Sequence, residues 1–272
     1  LVRLNRLAPS AQFELYAKLE WVNPLGSVKD RAAWYMLRDL EARGQLSEQR
    51  GVVEASSGNT GLSLAGMARA RGYRARVVVP NMVPLEKKVL LKIAGAELDV
   101  LNDAVCPAPG MGDGSINLAK THARAQPDRY VMPNQYENEQ NVKAHYETTG
   151  PEIWKQTAGR ITHFFASLGT CGTVIGTGRF LKEKNPKIKV IAVQPSEGHD
   201  VPGLRNVSQL DVSKLFDRTV IDELLEIDYE MAYTRAVDLA QGEGLLAGPS
   251  SALIFEGARR VIHEMADKPG VG

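Results

Sequence analysis

The chain has 272 residues, 43% of them hydrophobic and 24% charged, with 33 Lys+Arg against 32 Asp+Glu for a net charge of +1. This balance excludes bulk electrostatic gripping of a nucleic-acid backbone, and ordinary apolar content with 25 Gly and 14 Pro spread along the chain excludes disordered, collagen-like and coiled-coil classes. No run of 18 apolar residues occurs and the start lacks a basic-then-apolar leader, so no membrane partner is expected and the cytoplasm is the expected location.

In chain order, the turn Asn23-Pro-Leu-Gly-Ser-Val-Lys-Asp-Arg31 opens a helix running to residue 43. A strand over 51–55 follows, then an Ala-rich helix over 62–71 stopped at Gly72, and a strand over 74–79 ended by Pro80. The spacing next predicts a helix over 84–93, a strand over 96–101, a helix over 115–125 and a strand over 130–132. After Asn134 a long helix starts at Asn138, is interrupted near Gly150-Pro151, and leads into a strand over 162–166, a helix over 173–184 and a strand over 189–193. Short β-branched runs alternating with helices are the mark of βαβ units and parallel sheets, so the fold class is α/β. Segments 105–114 and 195–216 show no period; such stretches are ligand loops or plain insertions. Both ends read as cut, since the chain opens on Leu1 rather than Met and stops after a helix where the alternation predicts another strand.

Two cysteines, Cys106 and Cys171, fit neither a disulfide framework nor CxxC chemistry, and the five histidines form no HExxH pair, so no protein-held metal is expected. Most of the histidines are expected on the surface or on helices. Three Gly/Ser/Thr-rich loops each follow a strand and open a helix: Ser56-Ser-Gly-Asn-Thr-Gly61, Gly169-Thr-Cys-Gly-Thr173 and Gly248-Pro-Ser-Ser251. Free N–H donors and the positive end of the helix dipole suit such loops to anions. Each alone could be an ordinary capped turn, and none has the Walker or dinucleotide pattern, so neither ATP nor NAD is indicated. Lys29 stands in the first turn of its helix, where the dipole disfavours a cation. That position lowers a lysine pKa and suits an amine nucleophile, whereas the alternative is an exposed Lys paired with Asp30.

The motifs Asn23-Pro-x-Gly-Ser-x-Lys29-Asp-Arg, Ser56-Ser-Gly-Asn-Thr-Gly61, Asn134-Gln-Tyr136, Thr148-Thr-Gly-Pro-Glu-Ile-Trp154 and Gly169-Thr-x-Gly-Thr173 stand in the order and approximate spacing of cysteine synthases. The sequence thus resembles that fold type II (tryptophan synthase β-like) family of pyridoxal phosphate (PLP) enzymes, which also holds cystathionine β-synthase. The resemblance implies two doubly wound α/β domains with the cofactor between them: residues 21–135 carrying Lys29 and the substrate loop, and residues 1–20 plus 136–272 carrying the phosphate loop. It implies that Lys29 forms the internal aldimine and acts as base, that Asn59 bonds the cofactor's 3′ oxygen, and that Gly169, Thr170, Cys171, Gly172 and Thr173 cradle its phosphate, with Ser250 also on the cofactor. Ser56, Ser57, Asn59, Thr60 and Gln135 would hold the substrate carboxylate. The implied reaction is β-replacement through an α-aminoacrylate, making cysteine from an O-activated serine and a sulfur donor.

Four departures stand out. Ser56 replaces a Thr; Cys171 replaces a Gly or Thr and is either an acidified thiol or, the plainer reading, a tolerated small residue. The third loop has Pro249 and Ala252 where the family commonly has Ile and Gly, and the family's C-terminal Pro-Asp-Ser-Gly segment is not found. Arg205, in Gly203-Leu-Arg-Asn206, resembles the segment of synthases that prefer O-phosphoserine over O-acetylserine, and could grip a phosphate bidentately or be a surface residue. The competing readings are condensation of serine with homocysteine, serine/threonine dehydration, which the Gly58-Asn-Thr60 motif disfavours, and a non-catalytic partner-binding relative. Expected partners are the amino-acid substrate and sulfur donor, a second copy in a homodimer, and a serine acetyltransferase C-terminal peptide or sulfur-carrier protein.

Overall fold

The computed structural model describes residues 1–8, 12–102 and 114–267. Cys106 and most of the unassigned 105–114 segment lie outside the described residues. A short antiparallel pair, β1 (Val2–Leu4) with β2 (Leu15–Ala17), precedes α1 (Lys29–Ala42). Strands β3 (Gly51–Ala55), β4 (Ala75–Pro80), β5 (Glu97–Leu101) and β6 (Tyr130–Val131) form a parallel sheet in the order β5-β4-β3-β6. Its crossovers are α2 (Asn59–Ala70), α3 (Leu85–Ile93) and α4 (Gly114–Ala125). A second parallel sheet, β7 (His163–Ser167), β8 (Lys189–Pro195) and β9 (Glu223–Ile227), is crossed by α7 (Gly172–Lys184). Between the sheets in sequence lie α5 (Glu139–Ala144) and α6 (Gly150–Gln156); α8 (Glu230–Glu243) and α9 (Pro249–Ala266) close the described chain.

Each sheet has its own core. Ala32, Ala33, Met36, Leu37 and Leu40 of α1 bury one apolar stripe against Leu64, Ala65 and Ala68 of α2 and Val52 of β3. In the second unit Val174, Ile175 and Leu181 of α7 pack on Phe164 and Ala166 of β7 and Val190 and Ala192 of β8. Central strand β3 is buried along its whole length, as a strand covered on both faces must be.

Gly150-Pro151 does not break the helical run from Glu139 to Gln156 as expected. Residues His145–Thr149 form a π-turn between α5 and α6, and Pro151 falls in the first turn of α6, where its missing N–H costs nothing. The 195–216 segment, which shows no period, holds a 3-10 helix over Val207–Val212 capped by the Asn206 side chain. Strand β9 was not expected, because Glu223-Leu-Leu-Glu-Ile227 lacks the β-branched run that marks the other strands.

Candidate active site

Two of the three anion-type loops occupy equivalent places, at the C-terminal ends of β3 and β7, where open parallel sheets present their ligand crevices; Gly248-Pro-Ser-Ser251, against expectation, follows α8 and not a strand. The first loop is held by its own hydroxyl: Ser56 Oγ accepts from the N–H groups of Gly58 (3.1 Å) and Gly61 (2.9 Å). Ser56 thus takes the Gly61 N–H of the first turn of α2 and leaves those of Asn59 and Thr60, while Cys171, the N-cap of α7, gives its helix no side-chain cap bond. Asn59 is exposed on the first turn of α2, and Ser57 is half-buried.

Gln135 braces the first loop from behind. Its Nε2 donates to the Ala55 carbonyl (2.9 Å), which fixes the amide so that Oε1 faces Thr60, whose hydroxyl donates to it at 2.6 Å. The Thr60 hydroxyl proton is therefore spent inside the protein, leaving the Thr60 backbone N–H and the second Nε2 hydrogen of Gln135 as donors for a carboxylate. Below them the buried Glu54 carboxyl accepts from the N–H groups of Ala55 (3.0 Å) and Gln135 (3.2 Å). Burial outweighs those bonds and pushes Glu54 up to about 8.

The second loop is shaped by close packing. Cys171 takes a left-handed backbone (φ 71), and a Cβ on Gly172 would lie 2.0 Å from Asn141 Oδ1. A Cβ on Gly176, one turn on, would lie 2.2 Å from the Val142 carbonyl, so α7 approaches α5 backbone to backbone. Behind the loop the fully buried His145 bonds Thr149 Oγ1 (2.9 Å) and Thr173 Oγ1 (3.2 Å). Burial, then the Lys29 and Arg31 charges, lowers it to about 3, so the ring is neutral. His145, Glu54 and Asn141 are the residues sequence reasoning missed; of the two buried histidines His145 lies on a helical run, as expected, and His199 is neither exposed nor helical.

Lys29 is the first residue of α1 and is not paired with Asp30, whose carboxylate instead accepts from the Leu25 N–H (2.7 Å) and the Ser63 hydroxyl. The start of α1 is clamped by Arg31, which donates to Glu20 (2.8 and 2.9 Å) and to Glu152 (2.7 and 2.8 Å), joining it to α6. Burial lowers the Lys29 pKa, and the Cys171 thiol and Glu20 oppose this. The amine from the first unit thus lies within electrostatic reach of the second unit's loop. Burial pushes the Cys171 thiol itself up to about 12, so the loop does not acidify it.

Arg205 is not a surface residue: it is 5% exposed. Its N–H donates to the Leu168 carbonyl (3.0 Å), and its guanidinium lies 5.2 Å from the Tyr136 ring centroid, donates to the Tyr136 hydroxyl (3.2 Å) and bears on the Cys171 thiol. Ser250 stands half-buried in the first turn of α9, outside this hydrogen-bonded cluster. Among the described residues no group of three His, Cys, Asp or Glu could hold a metal, and no helix is long and apolar enough to cross a membrane.

The residues around the second loop fit a phosphate monoester: N–H and hydroxyl donors, a glycine no side chain can replace, and no lysine or arginine within Gly169–Thr173. A family model described as pyridoxal-phosphate dependent enzyme matches residues 1–271, and the chain belongs to that family, whose cofactor is PLP. Within it the cysteine synthases are its relatives, as the motifs implied: the chain is 40% identical over 261 residues to cysteine synthase B of Salmonella typhimurium, covering 96% of this chain and 84% of that protein. Among solved structures it resembles O-ureido-L-serine synthase (33% identity, TM-score 0.88, 96% of this chain and 83% of that one). It also resembles a hydrogen sulfide-producing enzyme from Fusobacterium nucleatum (31% identity, TM-score 0.89, 98% and 90%). The fold type II α/β architecture expected from the motifs is the one they share.

Proposed function

We propose that this chain catalyses a PLP-dependent β-replacement that forms L-cysteine from an O-activated serine and a sulfide donor. The observation that carries the reading is convergence: a lysine weakened by burial lies near the loop after the second sheet's β7, which the buried Asn141 amide ties to the back of the loop after β3 of the first. Gly169 to Thr173 would hold the cofactor phosphate, Lys29 its aldehyde carbon, and Asn59 its ring oxygen, with Ser250 a further contact. When bound, the cofactor withdraws electrons from the substrate's α-carbon. Ser56, Ser57, Asn59, Thr60 and Gln135 orient the substrate by its carboxylate through N–H and amide donors. Freed when the substrate's own amine takes its place on the aldehyde carbon, the Lys29 amine, whose lowered pKa leaves it more readily neutral, would take the α-proton at Nζ as the β-substituent departs.

For the leaving group we favour phosphate. A buried guanidinium stacked on Tyr136 beside the phosphate loop is supported in its place and suited to bidentate capture of a phosphate ester, whereas a neutral acetyl ester gives it no such partner. Family resemblance further supports a homodimer and docking of a serine acetyltransferase C-terminal peptide or a sulfur-carrier protein, which sedimentation and pull-down with purified partners would read.

The test is cysteine formation by the PLP-loaded chain from sulfide with O-phosphoserine, O-acetylserine or serine, and cystathionine formation with homocysteine. Lys29→Ala is expected to lower turnover about a thousandfold. Arg205→Ala should cut kcat/KM for O-phosphoserine about tenfold or more while leaving O-acetylserine within about twofold. No cysteine from any ester, or full activity in Lys29→Ala, would overturn the assignment, and equal losses with both esters would remove Arg205 from leaving-group selection.

A further inference from the structure

The strongest unassigned feature is the side chain of Asn141, which is 2% exposed and joins the two loops. Its Nδ2 donates to the Gln135 carbonyl (2.8 Å), behind the substrate loop, and to Thr170 Oγ1 (2.9 Å), in the phosphate loop. Its Oδ1 rests where a side chain on Gly172 would have to go. An amide has two N–H donors and both point at acceptors, so the orientation is fixed: Oδ1 cannot exchange places with Nδ2 without facing the Gln135 carbonyl, which can only accept.

The consequence falls on Thr170. Its hydroxyl oxygen accepts from Asn141, so its single hydrogen is directed away from the amide. Thr170 is itself buried, and its carbonyl accepts from the Ser213 hydroxyl at 3.0 Å, which holds its backbone in place. We propose that Asn141 is a positioning residue for the cofactor phosphate: it holds the Thr170 hydroxyl as a donor toward the anion, and seats the loop through Gly172 and Gln135. This rests on the reading of Gly169–Thr173 as the phosphate loop, and deepens it by naming what aims one of the donors. The arrangement has a chemical logic, since a hydroxyl free to rotate presents lone pairs to a phosphate as readily as a proton.

The experiment measures the PLP dissociation constant by cofactor absorbance and fluorescence in wild type, Asn141→Ala, Thr170→Val and the double variant. Each single change is expected to weaken PLP binding about tenfold, the worth of one hydrogen bond to a charged group. Because one residue acts through the other, the double variant should be about tenfold weaker, not about a hundredfold. Asn141→Asp keeps the size of the side chain but offers acceptors only, so the Thr170 proton turns back toward it; PLP binding should fall further than in Asn141→Ala. A fold-supporting role alone would lower the apoprotein's Tm and multiply with Thr170→Val. Wild-type affinity in both Asn141 variants, or multiplicative losses, would overturn the proposal. Failure of wild type to take up PLP would overturn instead the phosphate-loop reading beneath it.

Discussion

The two anion loops sit at equivalent ends of two parallel sheets, yet they are not held in the same way. The loop after β3 is held by side-chain hydrogen bonds: Ser56 onto its own N–H groups, Gln135 across its back, Glu54 beneath. The loop after β7 also has side-chain bonds, from Asn141, Ser213 and His145, but adds close backbone packing, with Gly172 pressed on Asn141 and Gly176 on the Val142 carbonyl, and one left-handed residue. The difference matches what each is proposed to hold. A resident phosphate needs a rigid nest of fixed shape, whereas a substrate carboxylate that enters and leaves is served by a loop whose donors are aimed by bonds it can lengthen.

The largest expected effect breaks this comparison with one methyl group. Gly172→Ala would put its Cβ 2.0 Å from a buried amide that cannot move without releasing Thr170 and Gln135. Gly58→Ala, at the matching N-cap, would meet the Lys87 side chain at 3.0 Å, a flexible stem that can swing aside. We expect Gly172→Ala to lose about 2 kcal/mol or more of stability and most PLP affinity, and Gly58→Ala to lose under about 0.5 kcal/mol. Thermal melts and PLP titration of the two variants check this, and equal losses would mean that packing does not distinguish the loops.

The asymmetry explains what could be read from the sequence. Glycines and hydroxyls at strand-to-helix junctions are local signals, so both loops and their helices were legible. Lys29 was legible because a cation at a helix start contradicts the dipole. Asn141, His145 and Glu54 were not legible, since each acts across 29, 28 and 81 residues of chain respectively, and nothing near them in sequence marks the partner. Arg205 showed its residue type but not its burial, because Tyr136, which it stacks on, comes 69 residues earlier. The π-turn at His145–Thr149 escaped for a related reason: Gly150-Pro151 reads as a break, and only the packing of α7 shows the helix continuing.

The two regions also differ in the sign of their pH dependence. Neutral His145, at about 3 in the folded chain against 6.5 unfolded, leaves the unfolded chain binding more protons as pH falls through that window. Stability behind the phosphate loop is therefore lost from pH 6.5 toward 3. Glu54, at about 8 against 4.5, does the reverse: the folded chain keeps a proton the unfolded chain gives up, so its contribution is present below 4.5 and lost as pH rises to 8. Between 4.5 and 6.5 the two oppose each other. Tm measured against pH should flatten on the acid side in His145→Gln and between 6.5 and 8 in Glu54→Gln; an unchanged profile in either variant would show that its group does not titrate as its surroundings dictate.

The smallest expected effect concerns Cys171, the one residue in the phosphate loop with both a side chain and a left-handed backbone. A positive φ favours glycine at this position. Cys171→Gly removes backbone strain of about 1 kcal/mol. It also removes a small side chain that packs with Val142, Ile153 and Val174, at a cost of about 1 kcal/mol. The two should nearly cancel, leaving Tm within about 4 °C of wild type and PLP affinity within about twofold. A thiol pushed up to about 12 is protonated throughout the working range, so alkylation of Cys171, followed by peptide mapping, should be slow. Rapid alkylation, or a large loss of PLP in Cys171→Gly, would show that the loop uses the sulfur, and would remove backbone shape as the sole reason a small residue stands there.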